Sequence, residues 1–206
     1  MAMTDRTGDP RIWRLLLLLF TVSGACGLVY EIVWMRRLSL VFGSTTLAVS
    51  TVLAAFMGGL ALGSFRFGRY ADRNPGKSLR LYGRLEIAIG ALALAIPLLL
   101  RGAAAVYLRL EPALETSPFL FFAVQFVLVA AVLVVSTTLM GGTLPLVARF
   151  AVRSVGEVGG RVGSLYAANT VGAASGVTLA TYYLLPRMGI TGAERVAAAA
   201  NVAVGI

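Results

Sequence analysis

The sequence has no histidine and a single cysteine, Cys26. The first absence removes imidazole proton switches, histidine metal sites and Ser-His-Asp chemistry. The second removes an internal disulfide and any cysteine-cluster metal site. Charge is also scarce: 13% of the 206 residues are Asp, Glu, Lys or Arg, about half the share in a soluble domain. There is no Gly-x-Gly-x-x-Gly loop, P-loop or nucleophile elbow, and no soluble stretch where a nucleotide or S-adenosyl cofactor would sit. No catalytic residue, metal or cofactor is therefore assigned. What fills the chain is apolar: 58% of residues are hydrophobic and the mean hydropathy is +0.85. A chain this short cannot hide so much apolar surface in one aqueous core, so the expected solvent is a lipid bilayer. The formal charge of +9 is read as loop arginines that orient the spans, not as a nucleic-acid footprint.

A helix needs roughly 20 mostly apolar residues to cross a bilayer. That rule predicts spans at about 12–33, 47–65, 79–100, 118–151, 162–185 and 192–206. The fourth is longer than a straight crossing needs, so it should tilt, project, or kink at Gly141-Gly142 and Pro145. The sixth is still apolar where the sequence stops, so the chain is expected to be a piece of a longer protein. Twelve of the 18 basic residues fall in the N-terminal segment and in the loops after spans two and four. This bias predicts a cytoplasmic N-terminus, in a multi-pass protein of the cytoplasmic (inner) membrane of a bacterial-type cell. The expected fold is a single all-α transmembrane domain, residues 1–206, with about six spans.

After the second span the sequence reads Gly68-Arg-Tyr-Ala-Asp72-Arg73-Asn-Pro-Gly76-Lys77. It resembles the cytoplasmic loop motif of major facilitator transporters, with spacing that departs by one residue at Pro75. Gly68 would let two helix ends approach, and Asp72 would cap a helix or pair with an arginine across the bundle. The bland alternative is a positive loop with a turn at Asn74-Pro75-Gly76. Six spans with an internal N-terminus match one facilitator half.

Further blocks keep order and spacing over nearly the whole chain: Tyr30-Glu31-x-x-Trp34, Phe56-Met57-Gly58-Gly59, Tyr82-Gly83-x-x-Glu86, Leu139-Met140-Gly141-Gly142-Thr143-Leu144-Pro145 and Leu165-Tyr166-Ala167-Ala168-Asn169-Thr170. Together they resemble the membrane portion of spermidine-synthase-like membrane proteins, the fused facilitator/spermidine synthase family. The resemblance implies a membrane bundle that is commonly followed by a soluble aminopropyltransferase-like domain. These 206 residues hold no such domain, so the family's catalytic residues have no positions here.

Most of the nine acidic residues lie at loops or span ends; Glu31 and Glu86 do not, and a carboxylate inside a span costs at least a few kcal/mol unless it faces a cavity or a partner. Structural partners would be Arg36 or Arg37 for Glu31, and Arg80 or Arg84 for Glu86. The functional reading is a cation site in which carboxylates and aromatic faces attract an amine. Its candidate residues are Tyr30, Glu31, Trp34, Tyr82, Glu86, Tyr166 and Asn169, arranged as two stations along one path. Gln125, Thr170 and Asn201 are read as interhelical hydrogen-bonding groups. Gly59-x-x-x-Gly63 and Gly172-x-x-x-Gly176 form small-residue faces for packing, within one bundle or between two copies of a homodimer. Two functions stay open. One is a transport-type module for a polyamine or other small cationic amine, as a dimer or within a longer chain. The other is a membrane anchor that docks an aminopropyltransferase.

Overall fold

The computed structural model describes residues 9–42, 46–114, 117–152 and 154–206, and every regular element among them is helical. The main helices are α1 (Pro10–Phe42), α2 (Thr46–Arg73), α3 (Ser78–Leu114), α4 (Pro118–Ala151), α5 (Val158–Leu179) and α6 (Leu185–Gly205). Single 3₁₀ turns, Pro75–Lys77 and Val155–Glu157, precede α3 and α5, and a π turn at Ala180–Leu184 joins α5 to α6.

Four stretches are long and apolar enough to cross a membrane: Pro10–Leu40, Val49–Arg73, Pro75–Leu110 and Phe122–Ala151. The predicted fifth and sixth spans fall on α5 and α6, which are not among them. Glycine, serine, threonine and asparagine dilute α5, while Arg187, Glu194 and Arg195 dilute α6. The predicted spans were also too short for α1, α2 and α3, because the helical hydrogen-bond ladder runs on past the apolar stretch into polar turns. Ser117 starts α4 by accepting a hydrogen bond from the Leu120 N–H at 3.4 Å, with Pro118 following in the first turn, where its missing N–H costs nothing. Pro145 lies inside α4, and the helix is continuous through it and Gly141-Gly142. α6 breaks at Gly189, whose φ of 66° is the left-handed region that a side chain disfavours. That break falls in the predicted gap between the fifth and sixth spans.

α1 packs on α5 and α6, α3 packs on α4 and α6, and α2 packs on α4. Small residues set these spacings. A Cβ at Gly59 would overlap Thr137, and one at Gly63 would overlap the Thr138 carbonyl, so this face seats α2 on α4. A Cβ at Gly172 or Gly176 would overlap the carbonyls of Thr21 or Ala25, so the second face seats α5 on α1. Both faces expected to serve packing or dimerisation are therefore occupied within one chain, and a homodimer would have to use another surface. Outward, Leu18, Phe65, Leu98, Phe119 and Val127 are exposed, far more apolar surface than water favours. Inward, Phe20, Val33, Trp34, Ile96, Leu133 and Leu146 are buried.

Candidate functional site

A cavity of about 250 Å³ lies inside the bundle, and all six helices contribute to its wall. Much of that wall is apolar, with Phe20, Leu28, Phe56, Leu60, Ile89 and Leu144. Its polar groups are Ser23 and Tyr30 from α1, Ser64 from α2, Thr143 from α4, Asn169 from α5 and Asn201 from α6.

Behind Ser23 and Asn201 sits the Glu86 carboxylate, fully buried on α3. The Ser23 hydroxyl donates to Glu86 Oε1 at 2.6 Å, and the Asn201 side-chain amide donates to Oε2. Tyr82, one turn before Glu86, adjoins it and Ser23 without meeting hydrogen-bond geometry, and the Tyr82 ring meets Phe20 edge-on at 6.3 Å. Neither Arg80 nor Arg84 pairs with Glu86. Both are exposed, and among the described residues the carboxylate has no cationic partner. Two further cavity-wall groups are buried without a hydrogen bond, the Tyr30 hydroxyl and Asn201 Oδ1. Asn169 packs against Gly24, next to Ser23.

The structure thus brings Glu86, Tyr82, Tyr30 and Asn169 to one place and leaves the other candidates elsewhere. Glu31 is half-buried, does not line the cavity, and has no hydrogen bond or ion pair among the described residues. Tyr166, one turn from Asn169, is 63% exposed on the outside of α5. Trp34 is buried off the cavity; it stacks on Tyr30 at 5.3 Å and donates from Nε1 to Glu194 Oε1 at 3.0 Å. The aromatic that reaches the cavity is therefore Tyr30, with Trp34 behind it.

Glu194 was missed in sequence. It is 1% exposed, and its Oε2 pairs with Arg37 Nη2 at 2.8 Å; the same nitrogen donates to Thr191 Oγ1 at 3.1 Å. The available signal was the stripe Glu194-Ala197-Ala198-Asn201, whose i, i+3, i+4, i+7 spacing marks one buried helix face. Of the facilitator-type loop residues, Gly68 lies opposite Pro145 of α4 with room for a Cβ at ordinary van der Waals distance, so the close helix approach expected of this glycine is not what the packing there requires. Asp72, Arg73, Gly76 and Lys77 are exposed, and among the described residues Asp72 makes no ion pair.

These features define a class: an all-helical bundle, with four helices of membrane-crossing length, around a cavity backed by a buried carboxylate. The chain is similar to two curated proteins of Ralstonia nicotianae, polyamine aminopropyltransferase 2 and polyamine aminopropyltransferase 1. Each is 30% identical to it over 176 residues, which is 85% of this chain and 31% and 30% of those proteins. The chain spans about a third of the length of these relatives. No family model matches the chain, and no solved structure matches it.

Proposed function

We propose that this chain is the membrane-embedded module of a polyamine-aminopropyltransferase-like protein and that its central cavity binds a small cationic amine, as a transport-type module does. In this reading α5 and α6 complete a six-span bundle of the facilitator-half kind, with the N-terminus cytoplasmic. The observation that carries it is Glu86: a buried carboxylate with no cationic partner among the described residues, bonded to two groups that line a cavity. A buried charge is retained where something compensates it, and a cationic ligand is that compensation. The similarity to enzymes named for polyamine chemistry supports the ligand class.

The test is thermal unfolding of the protein in nanodiscs with and without butylammonium or putrescine, using butanol as the uncharged control. A ligand that binds only the folded state raises its apparent stability. Butylammonium should raise the unfolding temperature, putrescine should do so less, butanol should not, and Glu86→Gln should remove the effect. No shift with any amine refutes the proposal. The second reading is an anchor or docking domain for an aminopropyltransferase. It is favoured by the chain's match to only about a third of its relatives, and a bundle that binds no amine but co-purifies with such an enzyme would establish it.

A further inference from the structure

The amine reading leaves open how many charges the site accepts, and the geometry bears on that number. Three carboxylates lie in or near this part of the bundle. Glu194 is neutralised by Arg37, and Glu31 does not reach the cavity. Glu86 alone lies behind the wall without a cation.

Glu86 also fixes the polarity of the wall. An ionised carboxylate only accepts hydrogen bonds. Ser23 spends its one proton on Oε1, so toward any other neighbour its oxygen is an acceptor. Asn201 gives one of its two amide hydrogens to Oε2, and its Oδ1, a free acceptor, is buried without a partner. Asn169 adds a polar group beside Ser23. Around them the wall is largely apolar, its other polar groups being the uncharged Tyr30, Ser64 and Thr143.

We infer that the cavity is a single-headed ammonium site: Ser23 Oγ and Asn201 Oδ1 accept from one primary ammonium, Glu86 is its one counter-charge, and Phe20, Phe56 and Ile89 hold an apolar remainder. This rests on the amine reading above and narrows it. A primary ammonium supplies three N–H donors to such acceptors, whereas a quaternary ammonium supplies none. A second or third cationic nitrogen, as in a polyamine, would enter hydrocarbon without a counter-ion, an arrangement that costs heavily in a low-dielectric interior.

The experiment is calorimetric titration of the full chain in nanodiscs, corrected for empty nanodiscs, with butylammonium, butyltrimethylammonium, putrescine and spermidine. Butylammonium should bind about tenfold or more tightly than butyltrimethylammonium, the ratio expected for lost charge-assisted hydrogen bonds. It should also bind more tightly than spermidine by at least a similar factor. Ser23→Ala should shrink the preference for the primary over the quaternary amine. Because it keeps Glu86 and the cavity, it serves where Glu86→Gln does not fold. If spermidine or putrescine binds as tightly as butylammonium or better, the single-charge inference fails and the amine reading survives. If the quaternary amine matches the primary one, the acceptor geometry is wrong and the inference likewise fails. If no amine binds, both fail.

Discussion

The pair Arg37–Glu194 allows a quantitative test of the bundle itself. Removing one member of a buried ion pair strands the other charge, at about 3–5 kcal/mol. The two members are unequally buried, with side chains 18% and 2% exposed for Arg37 and Glu194. Arg37→Met therefore leaves the deeper charge behind, and should cost about 3 kcal/mol or more. Glu194→Gln leaves an arginine that still reaches solvent and keeps an acceptor for Trp34, so it should cost less, about 1–2 kcal/mol. The double variant Arg37→Met with Glu194→Met removes both charges at similar volume. It should recover most of the loss, since apolar replacements of buried pairs are often neutral, and stay short of wild type by about 1–3 kcal/mol for the Trp34 N–H that loses its acceptor. The assay is reversible unfolding in mixed micelles. Trp34 fluorescence is a local reporter, because its indole N–H bonds Glu194. A single-variant cost below about 1 kcal/mol, or a double variant that loses the sum of the singles, refutes the buried coupled pair.

Glycine substitutions should divide by contact. Gly63→Ala and Gly172→Ala drive a methyl into a carbonyl of the neighbouring helix and should destabilise by about 1–3 kcal/mol, while Gly58→Ala, which meets nothing within 4 Å, should be neutral or stabilising in the same unfolding assay. Glu31→Gln should leave amine binding unchanged and alter stability by no more than about 0.5 kcal/mol, because Glu31 has neither cavity contact nor partner among the described residues; loss of binding would restore Glu31 to the site. For topology, a membrane-impermeant thiol reagent added outside cells should miss Lys77→Cys and reach Arg109→Cys. Both positions are exposed and the native Cys26 is buried, so the opposite pattern would invert the orientation.

The positions that read most plainly in the sequence were those whose meaning is local. Apolar runs marked out α1 to α4 as helices long and apolar enough to cross a membrane, and the small-residue spacing at Gly59 and Gly172 marked out close-packed faces. The helices those faces meet, α4 and α1, are set by tertiary packing and have no local signature. Glu86 stood out because a carboxylate in an apolar run demands an explanation. Its sequence neighbours Arg80 and Arg84 were the natural partners to suppose, yet the chain answers it with Ser23 and Asn201, 63 and 115 residues away. Tyr166 and Asn169 are one turn apart, and a small rotation about α5 is enough to put one outside and the other at the cavity. Glu194 was obscured by its place at the very start of the predicted sixth span, where a carboxylate reads as an interfacial end group.

α6 follows the break at Gly189 and is held by side chains at two heights, Glu194 to Arg37 and Asn201 to Glu86. Seven residues separate these attachments, about 10 Å along the axis. A rotation of α6 about its own axis breaks both bonds. A tilt pivoting at Glu194 breaks the Asn201 bond alone. Between and beyond these attachments the seam sets Gly83 against Gly205 and Gly90 against Ala198, with the Ile87 and Val202 side chains packed beside the glycines. α6 is thereby pinned at two points, at the ion pair through Glu194 and at the cavity through Asn201.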